Sequence, residues 1–79
     1  MLSLSSLQEG QTAVIHAVGG EGALRRRLLE LGFLTGETVT VQKRAPFGDP
    51  LQVRLRNFSL TVRAADADCI RVTRKEWSS

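Results

Sequence analysis

Between Leu51 and Val62 nearly every second residue is apolar. Leu51, Val53 and Leu55 alternate with Gln52, Arg54 and Arg56, and after a short Arg56-Asn57 link Phe58, Leu60 and Val62 resume the alternation. A period of two puts the apolar set on one face of an extended chain and the polar set on the other. Two such runs joined by so short a link predict an antiparallel hairpin, dry on one side and wet on the other. The dry side must be covered from within a chain of 79 residues, which has room for one simple core.

The rest of the chain offers more of the same. "TAVIHAV", Thr12 to Val18, is rich in small and β-branched residues and is broken by "GGEG", which predicts a strand. On that strand His16 shares a side with Thr12, Val14 and Val18. "ETVTVQKR" alternates Val39 and Val41 with Thr38, Thr40 and Gln42 and predicts another strand. "IRVT" adds a fifth with Ile70 and Val72 inward. In "APFGDP" Pro46 suits the first inner position of a type I turn and Gly48 its last, with Asp49-Pro50 extending a hairpin tip. Leu4 and Leu7 fit a single helical turn, and "AADADC" a loop or short helical turn.

One segment breaks the period of two. Leu24, Leu28 and Leu31 recur at four and three, which stacks them on one face of a helix over Glu21 to Leu31, and Gly32 supplies the left-handed position that closes it. At about 100° per residue from Leu24, Leu28 lies near 40° and Leu31 near 340°, so these three predict the buried stripe. Arg27, near 300°, borders the stripe; Arg25, near 100°, and Arg26, near 200°, fan away from it. Leu29, near 140°, falls off the stripe between those two arginines. Taken together, the elements predict a mainly β fold: a small SH3-like antiparallel barrel of about five strands with one inserted α-helix. It forms one domain over residues 1–74, followed by a frayed tail at 75–79.

Composition narrows the function classes. No apolar run approaches the roughly 20 residues that span a bilayer. "MLSLSSLQEG" lacks the basic flank and sustained apolar stretch of a secretory signal, so a cytoplasmic location is expected. The lone Cys69 reads as a small buried hydrophobe. Eleven Lys and Arg against eight Asp and Glu leave a net charge of +3, which suits a partner with negative surface. Lys43, Arg44, Arg54, Arg56 and Arg63 fit a basic face for phosphates, and equally the solvent side that alternation demands. Aromatics that stack bases are missing from that face. Gly19, Gly20 and Gly22 match no phosphate-binding fingerprint and read as a connector. His16 has no partner at a recognised ligand spacing, and "DAD" at 66–68 lacks the glycine and glutamate of a calcium loop. With no nucleophile and base pairing in view, the chain is expected not to be an enzyme, with no catalytic residues, no metal ligands and no cofactor.

"RLLELGFLTGETVTV", "RAPFGDPLQVRL", "FSLTVR" and "ADCIRV" together resemble the FeoA family, small cytoplasmic proteins of bacterial ferrous-iron uptake. The likeness runs from Leu4 to Val72. It is carried most specifically by Arg27-Leu28 with Leu31-Gly32, by Gly36, by the hairpin from Ala45-Pro46 to Asp49-Pro50, and by "SLTVR" with Arg63. Thr35 departs from the proline the family often has before the turn glycine.

The resemblance implies an SH3-like barrel that binds FeoB, the membrane transporter with a cytoplasmic GTP-binding domain, and supports or regulates Fe²⁺ passage. The protein is then peripheral to the inner membrane through its partner. A docking face of Leu24, Arg25, Arg26, Leu29 and Phe47 is expected on the off-stripe leucine, its arginine neighbours and the phenylalanine at a loop tip. The same domain also ends metal-dependent repressors similar to the diphtheria-toxin repressor; with no winged-helix segment ahead of it here, the free-standing reading is preferred. Two alternatives stay open: a nucleic-acid-binding barrel using Arg54, Arg56 and Arg63, and a metal-responsive regulatory module around His16. Nucleic acid is not the expected partner, and self-association stays open.

Overall fold

The computed structural model describes residues 2–47 and 49–74. Strand β1 (Leu2–Ser3) leads into a 3₁₀ turn at Leu4–Ser6, then β2 (Thr12–Val18), helix α1 (Gly22–Leu31), β3 (Thr38–Arg44), β4 (Leu51–Leu55), β5 (Phe58–Val62), the short helix α2 (Ala64–Ala67) and β6 (Ile70–Arg74). The six strands form one antiparallel sheet in the order β1-β6-β2-β3-β4-β5. Two irregularities in register help bend it, one between Ile15 and Ala17 and one between Val41 and Lys43. The sheet curls around its core in the SH3-like manner without closing, so β1 and β5 are its edges.

The predicted alternation largely decides what is inside. Val39, Val41, Leu51, Val53, Leu55, Ile70 and Val72 are all buried, as are Leu4 and Leu7 from the turn that plugs one end. Arg44 holds that plug: its guanidinium donates to the Ser5 and Leu7 carbonyls at 2.9 and 2.5 Å, while its backbone N–H donates to Glu9 at 2.9 Å. A charged donor satisfying two carbonyls is among the stronger hydrogen-bond arrangements. The chain then enters β2 through Gly10, whose φ of 88° a glycine adopts freely.

Several expectations need correction. β1 was not foreseen, because two residues are too few to display a period. On β2 the extra residue at the Ile15/Ala17 bulge shifts the parity, so Val18 is buried with Ala13 and Ile15 while His16 is exposed. The helix is rotated from its leucine stripe. Leu28 is fully buried and Leu24 and Leu29 pack half-buried on the core, whereas Leu31 is 40% exposed. The buried arc therefore lies about 60° round from the arc the spacing suggested, and Arg27 points away from the core instead of bordering it. The reason lies one residue past the helix. Gly32, at φ 114°, reverses the chain and sends Phe33 wholly inside, where it fills the space beneath the helix end. Cys69 is half-buried against the core. The expected last turn position at Gly48 and the tail at 75–79 lie outside the described residues.

Candidate partner-binding surface and groove

Where α1 passes β5 it leaves a groove. Arg27, Leu28 and Leu31 form the helical wall, Thr61, Val62 and Arg63 the strand wall, and Pro50 and Asp66 close it, enclosing about 620 Å³. The groove follows from local chemistry at both ends. At one end Asp66, on α2, pairs with Arg27 at 3.1 Å, and Asp49 accepts the Ala64 N–H at 3.0 Å, which ties the hairpin base to the start of α2. At the C-terminus of α1 a Cβ on Gly32 would make only ordinary contact with the Phe58 ring, at 3.4 Å, and it is the φ of 114° that calls for glycine there. Phe58, expected inward, is instead 43% exposed, because β5 is an edge and α1 stands beside it without covering it.

The expected docking residues differ in exposure. Leu24 and Leu29 are half-buried against the core. Arg25 is drawn back onto β2, its Nε donating to the Val18 carbonyl at 3.2 Å, while Arg26 is exposed. Phe47, at the hairpin tip, is 98% exposed. What the structure does bring together is Arg27, Leu31, Pro50 and Arg63, residues far apart in the chain. Only tertiary packing assembles them, although an uncharged final hairpin strand followed by Arg63 was a visible signal.

The proposed basic face also disperses. Arg44 is committed to the 3₁₀ turn, and Arg54 donates to the Arg56 carbonyl at 3.3 Å. Arg56 makes a two-pronged contact with Glu37, at 2.9 and 2.5 Å, while Arg63 lines the groove. That contact's hydrogen bonding holds the Glu37 carboxyl below the usual carboxylate range and raises the Arg56 guanidinium further above its own. The His16 side chain is exposed, and its carbonyl accepts from the Thr35 hydroxyl at 3.3 Å. Among the described residues no group of three His, Cys, Asp or Glu side chains could hold a metal ion. Nor is any helix among them long and apolar enough to cross a membrane.

A curled antiparallel sheet with one inserted helix and a groove along its last hairpin defines a small SH3-like domain. The FeoA domain model matches residues 2–74, and the chain belongs to the FeoA family. A Fe(2+) transport protein A/Fe(2+) transporter FeoB fusion protein of Porphyromonas gingivalis is 42% identical over 71 residues; the match takes in 90% of this chain but only 8% of that relative's length. The solution structure of FeoA from Chlorobium tepidum is 38% identical, with a TM-score of 0.86 over 94% of this chain and 70% of that one. The crystal structure of Stenotrophomonas maltophilia FeoA complexed with zinc, described as a procaryotic SH3 domain protein, is 32% identical with a TM-score of 0.82 over 92% and 91%.

Proposed function

We propose that this protein is a cytoplasmic accessory of ferrous-iron uptake that docks on a FeoB-type transporter and supports or regulates Fe²⁺ passage without catalysing a reaction itself. The observation that carries this reading is the fusion: in a relative 42% identical to this chain, the domain is joined covalently to the transporter. Joining two modules raises their effective concentration, which helps domains that work in contact. The docking face proposed is the outer flank of α1 with the β3–β4 hairpin tip. Arg25, Arg26 and Phe47 supply the contacts, and Leu24 and Leu29 seat the helix beneath them. A phenylalanine 98% exposed at a loop tip gains most by burial against a partner. The test is capture of the transporter's cytoplasmic part, alongside Fe²⁺ uptake in cells with and without this chain. Phe47→Glu combined with Arg26→Glu is expected to abolish capture, and deletion to lower uptake. Undiminished capture by the double variant would remove the docking face; unchanged uptake would remove the role.

A further inference from the structure

β5 pairs with β4 and with no other strand among the described residues. The two-residue link makes Leu55↔Phe58 a hydrogen-bonded pair. Alternation then directs the backbone N–H and C=O groups of Ser59 and Thr61, opposite Arg54 and Gln52, away from β4 and off the edge. Natural sheets guard such an edge with charges, proline, a bulge or a covering element. β5 has none of these guards. Its sequence, FSLTV, holds no charge and no proline, its pairing with β4 is regular throughout, and α1 stands off across a groove instead of covering it.

The groove specifies what would lie there. Its floor is apolar, from Leu28 and Val62, with Leu31 exposed on the rim. Its charge is unbalanced, with two arginines against one carboxylate. Asp66 is already engaged by Arg27, and Arg63 has no ion pair among the described residues. We propose that the β5 edge and this groove take an extended segment of a partner protein as an added strand, with an apolar side chain over Leu31 and Val62 and a carboxylate on Arg63. Main-chain bonding then supplies affinity and the groove supplies side-chain choice. A second copy offering its own β5 does not fit, because Phe58–Val62 contains no acidic residue and is followed by Arg63. This edge is separate from the Arg25, Arg26 and Phe47 face, so transporter capture and strand addition can fail independently.

The experiment titrates the isotope-labelled full chain with synthetic seven-residue peptides of alternating valine and threonine ending in two glutamates. The amides are followed by NMR. The probe is expected to shift Ser59, Thr61 and Arg63 and to slow hydrogen exchange at Ser59 and Thr61. N-methylating one of its two alternate amide sets should weaken binding at least tenfold, since one set must face β5. Replacing its glutamates by lysines should do the same, as should Arg63→Glu in the protein. Thr61→Pro removes an outward N–H at an edge position where proline is tolerated, and should abolish the shifts; if that variant does not fold, the N-methylated probes decide. Equal binding by both N-methylated probes, shifts confined to β1 or the outer flank of α1, or no shift at millimolar probe would each overturn the proposal. Concentration-dependent broadening of Ser59 and Thr61 without probe would overturn it too, by assigning the edge to self-pairing.

Discussion

Leu28 and Leu31 have the same side chain, sit three residues apart on one helix and are predicted to differ sharply in what they contribute. Leu28→Ala strips three carbons from a fully buried position. At about 0.8 kcal/mol per buried carbon the transfer loss is roughly 2.4 kcal/mol. A sealed void would add about 24 cal/mol per Å³. Leu28 forms the floor of an open groove, however, so water and its neighbours relax into much of the space. The expected total is about 2.5–3 kcal/mol, toward the low end of buried leucine truncations. For a domain this small that lowers Tm by roughly 10–20 °C.

Leu31→Ala removes the same atoms from a site already 40% exposed, and should cost about 1–1.5 kcal/mol. Urea unfolding with a common m-value separates the two, the Leu28 variant losing roughly 1–2 M in midpoint. A Leu31→Ala variant as damaged as Leu28→Ala would refute the reasoning. It would restore the Leu24, Leu28 and Leu31 stripe as the buried face and deny the groove its exposed leucine.

Gly19→Ala places a Cβ 3.2 Å from the Cys69 carbonyl, which already accepts the Gly19 N–H at 2.7 Å; the β2–β6 end should splay at a cost of about 1–2 kcal/mol, read by chemical denaturation. Arg56 holds a φ of 51° that suits glycine, so Arg56→Gly should stay near the wild-type urea midpoint, trading an exposed ion pair for lower backbone strain, whereas Arg56→Val should fall clearly below it. Because Arg56 depresses the Glu37 carboxyl, that pair stabilises the fold above the ordinary glutamate pKa near 4.3 and the benefit is lost as pH falls through the lowered folded value. Glu37→Gln should therefore flatten the acid limb of the stability profile below about pH 4, checked by urea midpoints measured from pH 6 down to pH 2.

The hairpin from Leu51 to Val62 was legible because alternation and a two-residue link are local properties, written in consecutive residues. The same holds for the ends of α1: Gly32 takes the left-handed position whatever the helix packs on. The rotation of α1 was not legible. Leucines at 24, 28, 29 and 31 allow more than one buried arc, and the arc is chosen by Phe33, which the chain reversal at Gly32 carries inside. His16 and Val18 were misplaced relative to each other for a related reason, since a bulge is a compromise with the facing strand β6 and leaves no mark in β2 alone.

By itself, then, the sequence determined the order of the five longer strands and α1 and most of their buried faces, which rest on short-range periodicity and fixed turn positions, and its motifs carried the likeness to the FeoA family. The candidate docking residues on α1 rest on an angle around an isolated helix, and that angle has meaning only once the helix is seated. Tertiary structure alone decided that β5 is an edge, that Leu31 and Phe58 stay partly bare, and that Arg27, Pro50, Arg63 and Asp66 meet. Those facts depend on which strand ends the sheet and how far the helix stands off it. Both are settled by packing residues distant in the chain around one small core.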